Sequence, residues 1–124
     1  MFIFSLFDQL ASGCQYLSSS TAFLFSLMNK PDWGPVTFKP PGAHYSYQHA
    51  TYDCHDRGPS FGTGHDIGIA SYASSNTNSY TNLGDAYNPP AGHSYRASFT
   101  RSFLAGSYHF QPDEVEVFYE TNYK

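Results

Sequence analysis

Gly58-Pro59-Ser60-Phe61-Gly62-Thr63-Gly64-His65-Asp66-Ile67-Gly68-Ile69 is a glycine-punctuated turn that runs directly into a strand. Within the strand Ile67 and Ile69 share one parity while Asp66 and Gly68 take the other, because successive side chains on a strand alternate between faces. Gly58, Pro59, Gly62 and Gly64 are read as a structural turn motif. The Gly62/Gly64 pair resembles a dinucleotide fingerprint only superficially, since it precedes a strand and so presents no helix N-terminus to a phosphate. Asp66, directly after the turn, is placed to accept backbone N–H bonds from it, as Asx residues do. It is also a candidate contact for a partner.

Outward from this stretch the chain reads as strands and loops. Ala22-Phe23-Leu24-Phe25-Ser26-Leu27-Met28 is an apolar run of strand length, read as buried on both faces and ended by Asn29-Lys30-Pro31-Asp32. Residues 44–54 alternate with a parity switch that implies a bulge near His49. Between Ser71 and Asn82, nine of twelve residues are Ser, Thr or Asn, which makes this region a functional loop or the host of a short strand, with Ser79-Tyr80-Thr81 the best candidate. Leu104, Tyr108 and Phe110 share a parity, with Gly106 read as a close backbone approach. Val115, Val117 and Tyr119 alternate against Glu114, Glu116, Phe118 and Glu120 as a half-buried terminal strand. No segment carries a 3.6-residue apolar period. The fold class is mainly β (α+β at most), an antiparallel two-sheet β-sandwich.

Composition bounds the function. A chain of 124 residues makes one domain. Aromatics reach 19 % against 13 % charged residues, so the core is expected to be built on Phe and Tyr. Net charge is −4 and the six basic residues form no cluster, which argues against nucleic-acid binding. Residues 1–6 are too short an apolar run to span a bilayer. Cys14 and Cys54 are too few for a disulfide framework; free thiols in a reducing compartment are the expectation, with a single bridge as the alternative. No Asn-x-Ser/Thr acceptor occurs, in keeping with an intracellular, cytoplasmic address.

Phe23-Leu24-Phe25-Ser26-Leu27, Tyr52-x-Cys54, Gly58-Pro59-x-Phe61-Gly62-x-Gly64-His65-Asp66, Ser79-Tyr80-Thr81-Asn82-Leu83-Gly84 and Glu114-Val115-Glu116-Val117-Phe118 stand in an order that resembles TLDc domains, over about Tyr16 to Tyr119. The resemblance implies a β-sandwich with a few short helices, no established catalytic activity and no cofactor. It further implies a protein-binding role, linked in that family to oxidative-stress resistance and to regulation of the vacuolar proton-pumping ATPase. A full TLDc domain begins with a further region that residues 1–15 do not resemble. The chain is therefore divided into a non-matching segment, 1–15, and the C-terminal portion of a TLDc-like domain, 16–124, incomplete at its N-terminus. Missing strands would leave open sheet edges that promote self-association.

Cys54, His55, His65 and Asp66 supply donors for a metal-dependent enzyme, but adjacent strand residues point to opposite faces, and a strand-end histidine bonded to backbone is the plainer reading of His65. No G-x-S-x-G elbow occurs, and Cys54 beside His55 reads as a small buried hydrophobe. Glu114 and Glu116, on an exposed acidic row, are candidate docking residues for a basic partner. The Tyr/Asn/Ser loop from Ser71 to Tyr87 has a paratope-like composition, rigid aromatics among adaptable polar groups, which would also suit an extracellular glycan-binding or adhesion module.

Overall fold

The structure is a computed structural model that describes residues 13–40 and 48–116. Among the described residues two antiparallel sheets are present. The larger has six strands in the order β1 (Gln15–Leu17), β4 (Thr51–Asp53), β5 (Ser60–Phe61), β6 (Ile67–Gly68), β7 (Ser79–Thr81), β8 (His109–Phe110). From β4 to β8 this is a meander, each strand paired with its successor, and β1 closes one edge against β4. The smaller sheet pairs β2 (Leu24–Ser26) with β3 (Val36–Phe38). Among the described residues a short helix, α1 (Ser98–Ser102), and a 3-10 turn at Ala73–Ser75 lie in the long connections. The mainly-β, antiparallel class follows directly.

Leu24 and Phe38 from the small sheet join Phe61, Ile67 and Ile69 from the large one in a single core. Leu83, Tyr87 and Phe103 fill it from the connections. The Phe103 ring meets Phe38 edge-on at 5.7 Å, and Trp33 packs on the same ring at 5.2 Å. These arrangements suit the quadrupoles of aromatic rings and bring the β2–β3 pair onto the chain beyond α1. The Lys30 N–H donates to the Phe103 carbonyl at 2.8 Å, fixing the same junction through the main chain.

The turn glycines act where the sequence placed them. Gly62 and Gly64 have φ of 81° and 77°, a region other residues adopt only at a cost. A Cβ on Gly62 would collide with the Asp66 carboxylate. Gly58 and Ile69 exchange no side chain, but the Gly58 N–H bonds the Ile69 carbonyl and the Ile69 N–H bonds that of Pro59, both at 3.0 Å. The β5–β6 ladder thus continues past its formal strands. The predicted strand at Ser79–Thr81 is β7.

Several expectations are corrected. The run at residues 22–28 is not buried throughout: the strand stops at Ser26, and Leu27 and Met28 are exposed, because a two-stranded sheet covers only a short segment. Leu104 and Gly106 do not belong to a strand. The Gly106 N–H bonds the Ser102 carbonyl at 2.8 Å, and its φ of 86° ends the turn after α1 as a left-handed cap does. Glu114 and Glu116 are not on a strand, and Val115 between them is exposed; the remainder of that predicted strand, 117–120, lies outside the described residues. Of the alternating run at 44–54, residues 44–47 lie outside them as well.

Free thiols are also overturned, for Cys14 and Cys54 form a disulfide. The register of β1 against β4 pairs Gln15 with Asp53, so the next residues outward, Cys14 and Cys54, are brought face to face. Nothing local in either segment announces that pairing.

Candidate functional site

Asp66 is fully buried at the end of the turn. Its Oδ1 accepts the Ala86 N–H at 2.9 Å, and its Oδ2 accepts those of Gly84, Asp85 and Tyr87 at 3.0, 3.0 and 3.1 Å. The carboxylate therefore organises the 84–87 loop and not its own turn. Burial pushes the Asp66 carboxyl up to about 6, while the four N–H bonds pull the other way. As both oxygens are occupied by main chain, Asp66 offers no surface to a partner, and that expectation is corrected. Tyr87, buried beside it, donates its hydroxyl to the Ala50 carbonyl at 2.7 Å. The Gly62 N–H reaches the same oxygen at 3.1 Å.

His65 is committed too. Its Nδ1–H donates to the Gly62 carbonyl at 2.9 Å, and its Nε2 faces an Arg57 N–H at 3.4 Å, which leaves a neutral ring with one defined tautomer. Burial lowers its pKa below 6.5, Arg57 acts in the same direction, and the Gly62 bond opposes them. The predicted quartet of Cys54, His55, His65 and Asp66 is thus split. Asp66 and His65 face inward to structural bonds, whereas Cys54 and His55 gather with Cys14.

The surface beside this frame is different. A groove of about 560 Å³ runs between Arg57-Gly58-Pro59, the Ser71–Ser74 loop and Asp113–Val115. Glu114 lines it; Glu116 is exposed but not part of it. The Gln111 side chain donates to the Ser74 carbonyl at 2.6 Å, tying one wall to the other.

At the rim stands Tyr72, 86 % exposed and held at φ 51°. A left-handed tyrosine costs roughly 1–2 kcal/mol, so its surroundings must hold it there. They do: the Tyr72 carbonyl accepts from the Ser75 N–H at 2.9 Å, the Ser75 hydroxyl at 2.9 Å and the Asn76 amide at 3.0 Å. The Ser and Asn residues of the polar loop thus fix the Tyr72 main chain, from which the ring projects into solvent. Sequence reasoning named this loop but not Tyr72, or Arg57 opposite it; the aromatic inside a run of hydrogen-bonding residues was the available signal.

The TLDc family model matches residues 2–120, nearly the whole chain. The chain belongs to the TLDc domain family. The matched span of this TLDc domain includes residues 2–15. A comparison with curated proteins and with solved structures finds no match to either. Among the described residues no helix of the TLDc domain is long and apolar enough to cross a membrane.

Proposed function

We propose that this TLDc domain is a non-catalytic, intracellular protein-interaction module, and that the groove under Tyr72 is its docking surface. One observation carries the reading: a large aromatic stands exposed beside the groove on a backbone held in a costly conformation by three hydrogen bonds. Rigid, exposed tyrosines beside a charged groove are the residues on which binding energy concentrates. The inward commitment of Asp66 and His65 also supports a scaffold role over acid–base chemistry.

The finer reading places the partner among subunits of the vacuolar proton-pumping ATPase, in the setting of oxidative-stress resistance. Family membership supports it, together with the acidic Asp113 and Glu114 at the groove. Immobilised chain is used to capture proton-pump subunits from lysate. Tyr72→Ala is expected to reduce capture about tenfold or more, the size of a central hot spot. Charge reversal at Glu114 weakens it, and reversal at Glu116, outside the groove, has the smaller effect. Undiminished capture by the Tyr72 variant removes the groove from the account.

A second reading, an extracellular adhesion or glycan-binding module, is favoured by the Cys14–Cys54 disulfide, since such bonds persist in oxidising compartments. Glycan-array binding that depends on Tyr72, without pump capture, would select it.

A further inference from the structure

The corner where β1 meets β4 holds more donor atoms than a structural staple needs. The sulfurs of Cys14 and Cys54 and a ring nitrogen of His55 lie within 4.8 Å of one another. Cys14 Sγ is 4.0 Å from His55 Nδ1, and Asp56 Oδ1 lies 2.7 Å from Cys54 Sγ. We propose that reduction of the Cys14–Cys54 bond turns this corner into a binding site for a thiophilic divalent cation of the zinc type. Its ligands are Cys14, Cys54 and His55, with the Asp56 carboxylate at the fourth position.

Local geometry permits what strand alternation forbids. β4 ends at Asp53, and the chain then turns, with the Arg57 N–H on the Cys54 carbonyl at 3.4 Å. Three consecutive residues, Cys54, His55 and Asp56, are thereby released from pointing alternately up and down. In a tetrahedral zinc site, with bonds of about 2.3 Å to sulfur and 2.0–2.1 Å to nitrogen, donors sit roughly 3.4–3.8 Å apart. His55 Nδ1 is nearly at that distance from Cys14 Sγ already. The sulfurs must separate by roughly 1.7 Å from their bonded spacing. Cys14 is exposed and precedes an edge strand, so the main chain there is free to yield that distance. His55 and Asp56 are exposed as well and can close on an ion without disturbing the core.

The chemistry balances in two steps. A dithiol reductant supplies two electrons and two protons, the Cys14–Cys54 bond breaks to two thiols, and the reductant closes to its own disulfide. The cation then displaces both thiol protons to solvent as two metal–sulfur bonds form. Two thiolates and one carboxylate around a dication leave one negative charge, and the Arg57 Nε, 3.7 Å from Asp56 Oδ1, stands beside it. β1 is tied to β4 in either state, covalently when oxidised and through the ion when reduced.

The test uses the whole chain, reduced with dithiothreitol, freed of it by anaerobic gel filtration, and titrated with Co²⁺ as a spectroscopic probe. The reduced chain is expected to bind one Co²⁺ with the thiolate charge-transfer and visible bands of a tetrahedral ion, and to lose them to one equivalent of Zn²⁺. The oxidised chain shows no thiolate band. Cys14→Ser abolishes the band, and His55→Ala and Asp56→Ala each weaken binding by roughly tenfold or more, the scale on which metal-site partners act. His109→Ala, exposed on the opposite edge strand, leaves it unchanged. Trp33 fluorescence on denaturation confirms that each variant is folded. A folded, reduced chain without a thiolate–cobalt band overturns the proposal, as does His55→Ala binding as tightly as the parent.

Discussion

Replacing Asp66 by Ala leaves the Ala86 and Tyr87 N–H groups buried without an acceptor, while Gly84 and Asp85 lie where water can reach them. Each orphaned donor costs about 1–3 kcal/mol, so the substitution removes about 2–6 kcal/mol. Set against a typical domain stability of about 5–15 kcal/mol, that leaves the variant marginal. The carboxyl's own titration adds a pH signature. Its folded pKa, about 6, exceeds the unfolded 3.8, so the folded chain binds the proton more tightly. Asp66's proton-linked contribution is fully present below 3.8 and is lost as pH rises through about 6. That rise corresponds to about 3 kcal/mol at 1.36 kcal/mol per pKa unit. The variant lacks this dependence, so its deficit is largest below pH 3.8 and falls by about 2 kcal/mol between about pH 4.5 and about pH 7.5. Urea unfolding followed by Trp33, the single tryptophan, measures both. A deficit below about 1 kcal/mol near pH 4.5, or one that does not change with pH, refutes the reasoning.

Gly62→Ala is expected to lose at least about 2 kcal/mol in the same unfolding assay, since a positive φ and a collision with the Asp66 carboxylate act together. Among the described residues the Thr81 hydroxyl is buried without a hydrogen-bond partner, so Thr81→Val, of nearly the same shape, should gain about 1 kcal/mol. The His65 ring should titrate below 6.5 with its proton on Nδ1, as read by nitrogen-15 NMR. Buried neutral, it contributes stability above 6.5 that is lost as pH falls through its folded value, so a ring titrating at or above 6.5 would contradict the site geometry.

What was legible in the sequence is what neighbours decide. The 58–69 turn and strand declared themselves through closely spaced glycines and the alternation of Ile67 and Ile69, and Ser79–Thr81 through its aromatic between β-branched and polar flanks. The acceptor role of Asp66 was readable, but not its donors, which lie 18–21 residues along the chain. Cys14 and Cys54, 40 residues apart, meet only because β1 chooses β4 as its partner. α1 has five residues, too few for a helical period to emerge, and the parity of Leu104 with Tyr108 and Phe110 imitates a strand. Leu27 and Met28 look like core by composition and are exposed, since among the described residues no further strand covers them.

Ala50 has the quietest role and a wide reach. A carbonyl oxygen has two lone pairs, and here one receives the Gly62 amide and the other the Tyr87 hydroxyl, whose own amide is held by Asp66. The approach to β4, the hairpin loop and the segment at 84–87 are therefore knotted at a single atom. Displacement of Ala50 breaks both bonds at once, so the Gly62 and Tyr87 amides should show similar opening energies in hydrogen exchange.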